Sequence, residues 1–160
     1  MTTAAPNTLV FGAVEVIAYS DKHGGGYMEK AGRLRLTVAT RADAGWIRRF
    51  LEKNVEPATE IGTDQWKGYS ATALAGYRHD LHHPETHALH IHRAFGNLKT
   101  WLNGTHHGVD PKYLQNYLDE FVFRFNRRKT PRAAFQTLLG LATRKIAPGY
   151  EKMALGALTG

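Results

Sequence analysis

Apolar and polar positions alternate with a two-residue period near the start of the chain and with a helical period further along. Leu9 to Ile17 reads LVFGAVEVI, a mostly apolar, β-branched run too short for a typical helix, which predicts a strand buried on both faces. In Arg33 to Thr40, RLRLTVAT, Leu34, Leu36 and Val38 alternate with Arg33, Arg35 and Thr37, as in a strand with one wet face. Ser20 to Gly32 carries three consecutive glycines and predicts a hairpin loop or a longer excursion. Two antiparallel strands are the simplest assignment.

Between Ala42 and Val55 the residues Trp46, Ile47, Phe50, Leu51 and Val55 recur at helical spacing and predict an amphipathic helix. Thr59 to Thr63 is a short strand that runs into Asp64, and Ser70 caps a short helix closed by Gly76. Pro84 makes the first half of His82 to His92 a loop, with the next helix starting near His87. Ile91, Phe95, Leu98 and Leu102 form its apolar stripe. His92 and Lys99, seven residues apart, lie nearly eclipsed on the flank of that stripe, where they could meet a ligand at the rim of the core.

Asp110 and Pro111 are N-cap and N1 residues for a helix that buries Leu114, Tyr117, Leu118, Phe121 and Phe125. Pro131 starts a last helix carrying Phe135, Leu138 and Leu139, and Ala147 to Gly160 reads as a frayed tail. Residues 9–141 are thus expected to form one α/β domain with a helical C-terminal part, and 142–160 a flexible tail.

Composition adds a partner to this outline. With 160 residues, 42% hydrophobic and 22% charged, the chain can bury a modest core as one domain. Its net charge of +7 favours an anionic partner, with nucleic acid ahead of a membrane surface. The absence of cysteine removes disulfides, thiolate nucleophiles and cysteine zinc ribbons. Met1 to Thr8 lacks a signal-peptide pattern and no apolar run could span a bilayer, so a cytoplasmic protein is expected. His79, His82, His83, His87 and His90 crowd together, but no acidic or cysteine partner recurs at a zinc-site spacing, and exposed loop histidines are the blander account.

The strings GRLRL, TDQWKGY, NLKTWLNGTHHGV and LQNYLDEFVFRFNRR, in this order and spacing, resemble the insertion-sequence group fifteen-ninety-five of DDE transposases over roughly Leu9 to Leu141. The resemblance implies a ribonuclease-H-like mixed sheet flanked by helices. It also implies acidic residues that hold two divalent ions, usually Mg²⁺, for phosphodiester cleavage and strand transfer. Asp64 matches the second catalytic aspartate, with Gln65 where glycine is common; the alternative is a turn or capping residue.

The third ligand position falls seven residues before Lys99, at His92, and varies among Glu, Asn and His within the group. An imidazole there would tolerate Mn²⁺ better than Mg²⁺. Lys99 would contact a phosphate near the scissile bond. The DNA-contacting set then comprises Lys67, Lys99, His106, His107, Arg124, Arg127, Arg128 and Arg132. A solvated face explains Lys99, and a basic helix end complementing the helix dipole explains the arginines nearly as well.

In the family the first aspartate lies on a strand just upstream of LVFGAVEV, which is the central strand of the sheet. Met1 to Thr8 contains no Asp, and neither Glu15 nor Asp21 occupies the required place. The sheet is therefore expected to be incomplete or rearranged, and Asp64, His92 and Lys99 to form an incomplete site. Either the gene is a truncated remnant or its start codon is placed too far downstream. Beside a small basic domain with an unrelated partner, two functions that share DNA binding are open on this reading. One is a transposase-derived domain inactive on its own. The other is a non-catalytic DNA-binding or regulatory remnant that associates with transposon ends, target DNA, a second copy or a full-length transposase.

Overall fold

β-Branched residues carry the chain through a long first strand, β1 (Leu9–Ser20), which turns back antiparallel into β2 (Tyr27–Ala39). The computed structural model describes residues 8–20, 26–63, 69–70, 72–80, 84–106, 109–133 and 135–140. The expected tail, 142–160, lies outside them. The hairpin is longer than its pattern predicts, because both strands extend into the segment assigned to a loop.

A bulge makes that extension possible. Val14 pairs with Leu34 and Val16 with Ala31, so Glu15 faces both Gly32 and Arg33. The Glu15 carboxylate accepts from the Arg33 backbone N–H at 3.0 Å. A Cβ at residue 32 would collide with that carboxylate, so Gly32 lets the Glu15 side chain lie over the bulge.

The alternation in β2 is realised. Leu34 and Leu36 are buried while Arg33 and Arg35 are exposed. β1 differs from expectation, since Leu9, Val16, Ile17 and Tyr19 are each more than a third exposed rather than buried on both faces. Among the described residues β1 pairs with β2 alone, and its second half is exposed throughout. The opposite edge of the hairpin is partly covered, where Gln115 accepts from the Val38 N–H at 2.9 Å.

Two helices clamp the near half of β1. α1 (Ala44–Asn54) starts at Asp43, whose side chain accepts from the Trp46 N–H, and buries Ile47, Phe50 and Leu51. Phe11 and Ala13 pack on that cluster, with Phe11 and Phe50 ring centroids 6.1 Å apart. The other face of β1 meets α2 (Pro84–His106). A Cβ on Gly12 would lie 2.8 Å from Phe95 Cζ and 3.0 Å from Ile91 Cδ1, so glycine admits the helix to close approach.

α2 begins at Pro84 rather than near His87, because proline is well tolerated in a helix's first turn. Its buried positions are Ala88, Ala94 and Leu98, so two alanines join the expected stripe of larger residues. A 3₁₀ turn (Pro111–Tyr113), capped by Asp110, leads into α3 (Leu114–Asn126), which buries Leu118 and Phe121. Trp101 of α2 packs on Phe121 and Tyr117 of α3, at 5.7 Å and 6.4 Å between centroids.

A second sheet pairs β3 (Glu60–Gly62) with β4 (Arg78–Asp80) in parallel. The link between them contains a turn capped by Ser70 and closed by Gly76 at φ +91°, in place of the short helix expected there. The chain is thus of mixed α/β class, with one antiparallel and one parallel pair.

It divides into two compact units, Met1–Val122 and Phe123–Gly160. In the second, residues 131–133 and 135–140 are helical, and Phe135, Leu138 and Leu139 are exposed. No helix among the described residues is long and apolar enough to cross a membrane.

Candidate functional site

Parallel pairing brings the carboxyl ends of β3 and β4 to the same side, the place where open α/β sheets present ligands. Ile61 pairs with His79 and Gly62 with Asp80. One residue beyond β3, the Thr63 hydroxyl and His79 Nε2 share a hydrogen bond of 2.8 Å, fixing the point from which the chain leaves the strand. Asp64 follows directly. Asp64, Lys67 and His107 lie outside the described residues.

A cleft of about 670 Å³ opens beside this end. β1, β3, α1 and α2 contribute to its walls, and Thr63, Tyr69 and His92 all line it. Thr63 and Tyr69 bracket residues 64–68, so His92 shares a cleft with the residues on either side of the Asp64 segment. Its side chain is exposed on α2, next to Ile91, which also faces the cleft.

Lys99 follows two helical turns later, roughly 10 Å along the axis. It is exposed and does not line the cleft. The structure therefore brings His92 to the cleft and leaves Lys99 on the solvent face of the same helix.

Among the described residues, no three His, Cys, Asp or Glu side chains are grouped to hold a metal ion. His92 is the one described member of the expected ligand pair. A single imidazole does not make a Mg²⁺ site, which calls for several oxygen donors. The described donors thus do not fit the ion on their own.

His106 ends α2 with its ring held edge-on to Trp101 at 4.9 Å and to Tyr117 at 4.6 Å. Its Nε2 is buried with no hydrogen-bond partner among the described residues. The arginines belong to the Phe123–Gly160 unit. The Arg127 guanidinium lies 4.1 Å from the Phe123 ring centroid and that of Arg128 4.1 Å from Phe125, both in cation–π contact. The Arg128 guanidinium also donates to the Phe125 carbonyl at 2.7 Å, and the Arg128 backbone N–H donates to the same oxygen at 3.3 Å, near the helix end. Arg124 and Arg132 are exposed.

His79 and β4 were not legible in the sequence. Arg78–Asp80 has no β-branched or apolar residue and no alternation, and only its pairing with β3 makes it a strand.

Comparison with curated proteins and with solved structures returns no match. The family model described as ISXO2-like transposase domain matches residues 3–126, a span that includes both sheets, α1, α2, α3 and the positions of Asp64, His92 and Lys99. The chain belongs to that family, the group fifteen-ninety-five type of insertion-sequence DDE transposase domains.

Proposed function

We propose that the chain is a ribonuclease-H-like transposition domain that binds DNA, and that its 160 residues do not by themselves complete the metal site for strand cleavage. The single observation that carries the reading is the family match across residues 3–126. It is supported by a cleft in which His92 lies with Thr63 and Tyr69, the neighbours of the Asp64 segment.

In this reading Asp64 and His92 hold a divalent ion, Mg²⁺ or Mn²⁺, with one carboxylate and one imidazole. When bound, the ion would activate a nucleophile at a phosphodiester. Two donors are too few to place it firmly, so no cleavage step follows from these residues. Lys99, exposed on the helix that carries His92, contacts a backbone phosphate, with Lys67 beside Asp64 in sequence. Arg124 and Arg132 supply further phosphate contacts, and Arg127 and Arg128 offer guanidinium groups already fixed on aromatic faces.

The net charge of +7 is equally compatible with a second reading. In that reading the domain is a DNA-binding or regulatory remnant acting beside a full-length transposase or a second copy.

Fluorescence anisotropy with a labelled duplex across a salt series tests the DNA-binding claim shared by both. Affinity should fall steeply with salt, and replacing Arg124 and Arg132 by Gln should flatten the log–log slope by roughly 2 if each meets one phosphate. Absence of binding at low salt would overturn the proposal.

A further inference from the structure

We propose that the far half of the β1–β2 hairpin binds single-stranded DNA, with bases stacked on the face that carries Ile17, Tyr19 and Met28 and phosphates held by Lys30, Arg33 and Arg35. The inference rests on the DNA-binding reading above and adds to it a surface and a form of DNA.

The strand register separates the two faces of the hairpin. Residues paired across antiparallel strands lie on the same face, and successive residues alternate. Tyr19 pairs with Met28 and Ile17 with Lys30, so these four share one face, while Val16, Ala18, Glu29 and Ala31 share the other. The second face turns toward α2, since the Glu29 carboxylate lies 3.8 Å from His90 Nε2, and Val16, Ala18 and Glu29 line the cleft. None of Ile17, Tyr19, Met28 and Lys30 lines it. They continue the side on which Phe11 and Ala13 pack on the α1 cluster, yet Ile17, Tyr19 and Met28 are each more than a third exposed. Scattered apolar side chains on a surface are ordinary, but three adjacent ones on one face of a hairpin mark a contact.

The charge beside this face is cationic. Lys30 Nζ lies 4.8 Å from the Tyr19 ring centroid, which holds an ammonium and an aromatic face together. Arg33 and Arg35 follow along β2 and are exposed, and Arg35, paired with Ala13, lies on the same side as Ile17. Among the described residues none of Lys30, Arg33 and Arg35 is in an ion pair. The neighbouring carboxylates are engaged. Glu29 faces His90, and Glu15 accepts from the Arg33 backbone N–H. Arg33 and Arg35 also line the cleft, so a strand of DNA laid along β2 from Lys30 is led toward the cleft that holds His92.

The mixture of groups selects the form of DNA. A duplex offers phosphates and groove edges but keeps its base faces inside the stack, whereas a single strand offers phosphates and base faces together. Cations alone would suit either, and the apolar and aromatic side chains between them suit the single strand. A second copy of the chain or another protein fits less well, because three side chains fall far short of the roughly 800 Å² that a stable protein interface buries on each side.

Fluorescence anisotropy on the full chain tests the proposal, with a labelled thymidine oligonucleotide of about 12 nucleotides beside a labelled duplex of the same length. Tyr19→Ala should weaken single-strand binding by roughly tenfold, the loss of one stacking platform, and leave duplex binding and the denaturant midpoint unchanged. Tyr19→Phe, which keeps the ring, should bind like the parent, as should Val16→Ala on the opposite face. Lys30→Gln should flatten the single-strand log–log salt slope by about 0.7. Chemical-shift changes on adding the oligonucleotide to the parent chain should gather at Ile17, Tyr19, Met28 and Lys30, a readout that needs no variant. Duplex binding without single-strand binding, shifts confined to other residues, or full single-strand affinity in Tyr19→Ala would overturn the proposal and leave the DNA-binding reading standing. Failure of the parent to bind either form at low salt would overturn both. A concentration-dependent dimer that is lost in Tyr19→Ala would overturn the proposal in favour of a second copy on this face.

Discussion

The two sheets of the Met1–Val122 unit differ in how they are held. β1 and β2 pair at eleven positions through a local hairpin, whereas β3 and β4 pair at three, in parallel, across an intervening turn. The hairpin carries Leu34 and Leu36 into the core and is clamped by helices on both faces. The β3–β4 pair buries less, with Ile61 only half-buried against the α1 cluster, yet the segment with the candidate aspartate departs from it. Stability is thus concentrated in one sheet and candidate chemistry at the end of the other. The short strand pair is held at its carboxyl end by the Thr63–His79 hydrogen bond rather than by a long ladder.

Truncation experiments can break this contrast. Leu34→Ala, at a fully buried position, should cost about 2–5 kcal/mol in denaturant unfolding, while Ile61→Ala should cost roughly 1–2 kcal/mol. Equal losses would mean that both sheets carry the fold alike. Gly12→Val ranks next, because its Cβ would sit 2.8–3.0 Å from Phe95, Leu36 and Ile91 side-chain tips. Overpacking there should lower stability by about 1–3 kcal/mol, seen as a reduced denaturant midpoint.

The smallest expected effect has the opposite sign and lies at the entry to β3. Ala58 has φ +61°, in a turn where Thr59 N–H donates to the Glu56 carbonyl at 3.3 Å. A left-handed residue after Pro57 is the glycine position of such a turn. Ala58→Gly should therefore raise stability by roughly 0.5 kcal/mol, the relief of backbone strain less the entropy cost of glycine. A lower midpoint would show that the turn is not strained.

Those same features explain what could be read in advance. The alternation of Leu34, Leu36 and Val38 and the spacing of Ile47, Phe50 and Leu51 encode β2 and α1, because burial on one face leaves a period in the sequence. The bulge at Glu15 was not legible, since it depends on a side chain folding over Gly32 from across the hairpin. Nor was β4, whose polar residues are held in line by β3 rather than by their own preference. The motifs that led to the family include core positions, Leu34 and Leu36 in one and Leu118 and Phe121 in another, beside the candidate site residues. The cleft that places His92 with Thr63 and Tyr69 follows from β1, β2, β3, α1 and α2 meeting, which no local window contains.

Supercoiled plasmid incubated with the chain and Mg²⁺ or Mn²⁺, with Asp64→Ala in parallel, tests the central claim most directly. The expected result is plasmid retained by the protein at low salt and still fully supercoiled after release, for both proteins. Metal-dependent nicked circles that disappear with Asp64→Ala would contradict the account, because they would show that these residues complete a cleavage site.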